Sequence, residues 1–354
     1  MEQKVLKYSF MKAGPRVLCA LALMVFWGMP LKAQRFSSSE IKEFTKREDS
    51  LKKFSASIVF ADEPEQRLRA DSQFTKTLVR TLKMKNSFFY PLDSLQTISR
   101  LYAPDSSFRI FTWQFKKDEF FYLQRGAIQM RTPDGSLKLF GLHDVSMFTD
   151  KPEDSVRTAN NWIGAIYYRI IQKTFNGRNY YTLLGFDDYS IASNKKWMEI
   201  LTFGSNGEPL FGGPYISFKD DSVKKMAQGT VKWRFNIEYK KDASTTFNYD
   251  PQMDMIIFDQ LISESEEPDK KESYVPSGDY EGFKWVDGQW LHTVKVFDYK
   301  LKDGQFPQDE KILDESGSLN EQKLMEQSDK NLQHADDKKK KNSAKPPVKK
   351  DGNN

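Results

Sequence analysis

Tyr180-Tyr181-Thr182-Leu183-Leu184-Gly185-Phe186-Asp187-Asp188 follows Ile166-Tyr167-Tyr168-Arg169-Ile170-Ile171 across Asn176-Gly177. Both runs are rich in the β-branched and aromatic residues that suit a pleated surface, and Asn-Gly supplies the positive φ angles of a two-residue hairpin turn. This is a β-hairpin. Downstream, Trp197 to Phe203 forms another strand, Asn206-Gly207 a turn, and Leu210-Phe211 the return. The runs are almost continuously apolar, which predicts burial on both faces or strong curvature. The core is expected between Trp162 and Phe218.

Working outward toward the N-terminus, Ser37 and Glu40 have the spacing of a capping box. Ile41, Phe44, Leu51, Phe54 and Ile58 then recur at helical intervals, predicting a helix from about Ser38 to Phe60. Pro64 suits the first turn of a second helix, with Leu68, Phe74, Leu78 and Leu82 on one face to about Met84. Leu92 to Tyr102 reads equally as a short helix or an extended segment. Beyond it, Phe108–Phe115, Phe120–Gln124, Ala127–Arg131 and Leu137–Phe140 read as a meander of strands.

Leu142 to Asn161 is polar and reads as a long loop, and Phe218 to Ala227 as a charged connector. Toward the C-terminus, Thr230 to Tyr239 alternates strictly, with Val231, Trp233, Phe235, Ile237 and Tyr239 on one face and Lys232, Arg234, Asn236 and Glu238 on the other. Met255–Phe258 is a further strand, Trp285–Leu291 a hairpin on Asp287-Gly288, and Val294–Tyr299 the last strand. The fold class is therefore α+β, mainly β: an N-terminal helical pair packed on a large antiparallel sheet, bent into a sandwich or open barrel. Residues 35–105 form the helical segment and residues 106–314 the β domain.

The chain ends differ in composition. Residues 1–34 carry Lys4, Lys7, Lys12 and Arg16 ahead of an apolar Val17–Met29 run, a secretory signal peptide with cleavage near Ala33 or Gln34. The single cysteine, Cys19, lies inside that run, so disulfide frameworks and thiol chemistry are excluded from the mature chain. Residues 315–354 lose aromatics and end in Lys338-Lys339-Lys340-Lys341 and Lys349-Lys350, a disordered basic tail. The formal charge of +5 divides into +4 from residues 1–34, +4 from residues 335–354 and −3 from the body. A basic pI of this origin implies no nucleic-acid groove; the tail suits electrostatic contact with an anionic envelope.

Chemistry-bearing residues are sparse. No Gly-x-Ser-x-Gly elbow accompanies the histidines His143, His292 and His334, and His292 reads as a surface residue beside the last hairpin. No motif calls for a cofactor or a metal. Carboxylates are plentiful: Asp187-Asp188 after the central strand, Asp220-Asp221, and Asp242, Asp250 and Asp254. Turn formation explains such residues, while two of them at a suitable separation could cleave a glycosidic bond. Aromatic residues make up 14% of the chain, so most must be core. Trp162, Trp197, Trp285 and Trp290 lie near turns or strand ends, where rings could also stack on sugars. The candidate binding residues are Asp187, Asp188, Trp197, Asp250, Trp285 and Trp290.

Tyr180–Leu201, with Asn194-Lys195-Lys196-Trp197, resembles a family of exported proteins of Bacteroidota-type bacteria that has no assigned activity. Lys240–Ile262 and Asp279–Trp290, with Asp279-Tyr280-Glu281-Gly282-Phe283, carry the same resemblance. It spans roughly Phe108 to Asp303 and lends no catalytic residue. It implies an envelope setting in a bacterium with two membranes. The expected role is an envelope-associated binding or assembly module in the periplasm or at the cell surface, with an envelope protein or glycan as partner. A carbohydrate-active hydrolase using paired carboxylates is the alternative.

Overall fold

The N-terminal helical pair begins where the capping box places it. In this computed structural model, which describes residues 36–118, 121–220, 230–265 and 267–297, Glu40 N donates to Ser37 Oγ and Ser37 N to Glu40 Oε2, opening α1 (Ser38–Phe60). The second helix, α2 (Pro64–Leu82), has its proline in the first turn. Phe44, Leu51, Ile58, Phe74, Leu78 and Leu82 are buried, whereas Ile41 and Leu68, expected on the apolar faces, are exposed. Among the described residues no helix is long and apolar enough to cross a membrane.

The helices cover a four-stranded antiparallel meander, β1 (Ser99–Tyr102), β2 (Phe108–Lys116), β3 (Tyr122–Met130) and β4 (Lys138–His143), in that spatial order. The ambiguous Leu92–Tyr102 segment thus ends as an edge strand, so the sheet begins before residue 105. The expected break at Arg125-Gly126 is absent because Gly126 pairs with both Thr112 and Leu142, closing one strand across the whole segment. Phe111, Trp113 and Phe115 point to the helices, while Phe108, Ile110 and Ile128 point to the next layer.

That next layer contains β5 (Arg157–Thr158), β6 (Ile166–Phe175), β7 (Arg178–Asp187), β8 (Ser193–Phe203) and β9 (Pro209–Phe211). Asn176 and Gly177 have φ of 49° and 72°, and Phe175 pairs directly with Arg178, the two-residue turn the sequence requires. The second turn is longer: Gly204 N bonds Glu208 O, and only Gly207 (φ 76°) is left-handed.

A third sheet is mixed. Its strands are β10 (Ile216–Ser217), β11 (Val231–Lys232), β13 (Phe247–Asp250), β14 (Met255–Ser263), β15 (Tyr274–Val286) and β16 (Gln289–Thr293), with β10 parallel to β16. The intervening β12 (Arg234–Lys240) returns to the middle sheet and pairs with β8. No strand follows Thr293 in residues 294–297, correcting the expected Val294–Tyr299 strand; Asp298 and Tyr299 lie outside the described residues.

The strands of the middle sheet are apolar on both sides because both sides are covered. Tyr181, Leu183, Trp197 and Leu201 pack on the first sheet, whereas Tyr180, Leu184, Met198 and Ile200 pack on Phe247, Ile256, Phe283 and Trp290 of the third. The protein is α+β and mainly β, a stack of a helical pair and three sheets with no closed barrel. Residues 1–34, the Phe218–Ala227 connector beyond Asp220, and residues 315–354 lie outside the described residues.

Buried polar groups lock the layers together. Glu48 of α1 accepts from Tyr90 Oη (2.6 Å), Ser94 N (2.8 Å) and Ser94 Oγ (2.8 Å). Burial opposes its charge, but these hydrogen bonds outweigh burial and hold its carboxyl below the usual range. Glu48→Ala is expected to lose roughly 2–3 kcal/mol, since three donors lose a charged acceptor at once. Urea denaturation checks the magnitude, and faster amide exchange at Ser94 checks the location.

Candidate functional site

A cleft of about 410 Å³ opens between the end of α1 and the ends of β2, β3 and β7. Its walls are apolar, from Ile58, Val59, Phe115 and Ile166, and its polar groups are Thr97, Gln114, Tyr122 and Asp188. Arg67 closes one side, donating through Nε to Lys116 O (2.7 Å) and through Nη1 to Ala61 O (2.7 Å). The volume falls within the range of small-molecule sites, which combine apolar walls with a few placed polar groups.

Asp188 follows the last residue of β7 and lines this cleft. Its carboxylate is held by Lys241 Nζ, which also donates to Ser190 O (2.8 Å), and by the Tyr122 hydroxyl. Burial first, and then the Asp188 hydrogen bond and charge, push the Tyr122 phenol up to about 12. Thr97 Oγ1 differs from these groups. It is buried and has no protein hydrogen-bond partner.

Asp187 sits behind the cleft, between the first and middle sheets, at 7% exposure. The carboxyl is pushed up to about 7, by burial above all and then by the Asp144 charge, against the opposing pull of Lys195 and a Gln124 hydrogen bond. Gln124 Nε2 donates to Asp187 Oδ1 and to Gln114 Oε1, both at 2.8 Å, and Gln114 Oε1 also receives the Asp188 amide at 3.3 Å. An unbroken chain of hydrogen bonds thus links Asp187 to the cleft. Gly164 lets β3 approach: a Cβ there would lie 2.2 Å from Gln124 Cβ.

The other sequence candidates are placed differently. Trp197 is 4% and Trp290 0% exposed, so neither ring offers a face to a sugar. Trp290 Nε1 donates to Thr182 Oγ1 (2.7 Å), pinning the third sheet to the middle one, and Trp197 packs against the first. These two correct the stacking expectation: nearness to a turn in sequence did not bring them to the surface. Trp285 is half-buried, with its ring 5.4 Å from Trp290 and 5.6 Å from Tyr180. Asp250 caps its own turn, accepting from Gln252 N (2.7 Å) and Met253 N (3.0 Å). Asp187 and Asp188 come together with Gln114, Gln124 and Tyr122, whereas Asp250 and the tryptophans belong elsewhere.

His292, expected at the surface, is instead 4% exposed, with Nε2 2.8 Å from Glu281 Oε2, a tilted Phe218 ring beside it and Phe283 edge-on to it. The third sheet's pleat turns it inward beside the carboxylate. A second cleft, about 560 Å³, lies between β12 and β14–β15 and gathers Glu238, Asp259 and Glu281. Each of these carboxylates already has a partner: Lys195 (3.3 Å), Thr245 Oγ1 (3.0 Å) and His292 respectively. Among the described residues no three His, Asp or Glu side chains gather in a metal-binding group.

Sequence reading missed Thr97, Gln114, Tyr122 and Gln124, because no local pattern marks an amide or hydroxyl that acts only after distant strands meet. Comparison with protein-family models, curated proteins and solved structures finds no match.

Proposed function

We propose that this chain is an exported, envelope-associated binding module that holds a small ligand in the 410 Å³ cleft. The ligand class is an apolar body with a hydroxyl- or amine-bearing head, as on an envelope glycan or amphiphile. The apolar walls take the body, and Asp188 with Thr97 take the head. The observation that carries this reading is Thr97 Oγ1, a buried hydroxyl without a protein partner at the edge of a ready-made cleft. Folded proteins leave few such groups unmet.

Thr97→Val tests it in two directions. Removing an unsatisfied hydroxyl is expected to stabilise the free protein by about 1 kcal/mol, or roughly 2–4 °C in Tm. The same change should abolish the thermal shift given by glycans, cell-wall fragments or alkylamines, which for wild type reaches about 2.7 kcal/mol at 100-fold over Kd. A destabilised variant with an intact ligand shift would sink the reading.

The envelope setting rests on the signal-like residues 1–34 and on the lysine-rich end of the chain. N-terminal sequencing of the mature protein is expected to begin near Arg35. The hydrolase reading draws on one observation, the Asp187 carboxyl near 7, the range of a general acid. It requires Asp187→Asn to abolish glycan turnover.

A further inference from the structure

We infer that the ligand of this cleft carries a phosphate between its apolar body and its hydroxyl head, making it an acidic amphiphile of the phosphoglycerol type. This rests on the cleft being the ligand site and narrows what that site takes. The polar groups left open in the cleft are donors. Gln114 Oε1 accepts from Gln124 Nε2 (2.8 Å) and from the Asp188 amide (3.3 Å). A backbone N–H can only donate, so the Gln114 amide has one orientation and its NH2 is left for the cleft it lines.

Arg67 adds a second open donor. Its Nε is spent on Lys116 O (2.7 Å) and its Nη1 on Ala61 O (2.7 Å) and Asp62 O (2.8 Å), which leaves Nη2 without a protein partner. Lys116, also on the cleft wall, gives Arg67 only its backbone oxygen, so its ammonium is a third. Neither cation has a carboxylate at ion-pair distance among the described residues. Thr97 Oγ1 is the fourth open group. The cleft's carboxylate, by contrast, is already engaged: Asp188 is bound by Lys241 Nζ and by the Tyr122 hydroxyl.

A ligand entering here therefore meets two uncompensated cations and an amide donor, with the Asp188 charge balanced by Lys241. A phosphate diester answers that inventory with one negative charge and several acceptor oxygens, taking charge-assisted hydrogen bonds from the guanidinium and the ammonium. An amine head would bring a like charge to Arg67 and Lys116. Three carbonyls fix the Arg67 side chain before any ligand arrives, so little side-chain freedom is lost on binding. Burial, then the Asp188 hydrogen bond and charge, push the Tyr122 phenol up, and the Arg67 charge opposes them, so Arg67 and Asp188 act on one hydroxyl. The apolar body has an exit as well. Val59 lines the cleft yet is 45% exposed, and Phe60 after it is 72% exposed, carrying the apolar wall out to the surface at the end of α1.

Calorimetric titration of the purified protein with three probes tests this: hexyl phosphoglycerol, hexylglycerol, which keeps the tail and hydroxyls without the phosphate, and inorganic phosphate. Hexyl phosphoglycerol is expected to bind about tenfold tighter than hexylglycerol, the scale of one hydrogen bond to a charged group. The preference should shrink at high salt. Lys116→Gln keeps the backbone oxygen that anchors Arg67, so it should lower the preference and leave hexylglycerol binding unchanged. Arg67→Gln should remove most of the preference; if that variant fails to fold, Lys116→Gln decides alone.

Equal affinity for the two amphiphiles overturns the phosphate while leaving the cleft a ligand site. A preference unchanged by the variants overturns its assignment to Arg67 and Lys116. Inorganic phosphate binding as tightly as hexyl phosphoglycerol makes the ligand a free anion and overturns the amphiphile. Binding of none of the three overturns the ligand site itself, and this inference with it.

Discussion

Arg234→Met is expected to destabilise the protein by roughly 3–5 kcal/mol, lowering Tm by roughly 6–20 °C. Arg234 is fully buried in β12, with Nε 2.7 Å from Glu199 Oε2 on the neighbouring β8. Its other nitrogens donate to Pro152 O (2.8 Å), Ser155 O (2.8 Å) and Phe211 O (2.7 Å). One guanidinium thereby gathers a strand, a loop and β9 around a carboxylate that also accepts from the Tyr167 hydroxyl. Methionine fills much of the volume but leaves Glu199 charged, buried and without a cation, and leaves three carbonyls without donors. Charge is the larger part. Adding Glu199→Gln removes it while keeping an acceptor for Tyr167, so the double variant should recover about half the loss. A loss below 1 kcal/mol in urea denaturation at pH 7 would show that the pair does not organise the middle sheet.

Asp187→Asn should act in the opposite direction. The folded-state carboxyl stands near 7, against 3.8 for an ordinary aspartate. With a raised value, the stability associated with the protonated form is complete below the unfolded value and is lost as pH rises through 7. Wild type therefore weakens between about pH 4 and 8, and the uncharged variant does not. The span of about three pH units corresponds to a ceiling of about 4 kcal/mol at pH 8, falling to about 1.6 kcal/mol at pH 5, where the unfolded carboxyl is still ionised, and to zero only below about pH 4. Thermal midpoints measured at both pH values decide the matter. A variant less stable than wild type at pH 8 would mean that Lys195 and Gln124 favour the carboxylate more than burial opposes it.

Sequence chemistry that acts over a few residues was legible. Asn176-Gly177 and Asp287-Gly288 each form a two-residue turn with positive φ at both positions, and Ser37 with Glu40 caps α1 as the spacing requires. Continuous apolarity in β7 and β8 correctly announced burial on both faces. Alternation in β12 set Phe235, Ile237 and Tyr239 on one face and Arg234 on the other, and all four are buried. Period-two patterns distinguish the two sides of a strand but cannot say that the polar side is covered by another layer.

The candidate site was half legible for the same reason. Asp187-Asp188 stands out after a core strand. Gln114 and Gln124 precede it by 73 and 63 positions and look like ordinary polar strand residues until the first sheet docks on the middle one. The tryptophans erred in the other direction, since proximity to a turn says little about burial where several layers stack.

The layers follow one another along the chain. Helices, first sheet, middle sheet and third sheet are built mostly from consecutive segments, and only β10–β12 interrupt the order. Each layer can therefore complete its own short-range pairings before the next arrives, which keeps loop closure local for most contacts. A chain emerging N-terminus first always has a finished surface to build on, and the sheet face awaiting its cover stays exposed only until the next few strands appear. β12 is the exception. It must reach back past β9 to β8, carrying Arg234 to Glu199, so the slow step of assembly should be its insertion, with that stretch of the β8 edge unpaired until then.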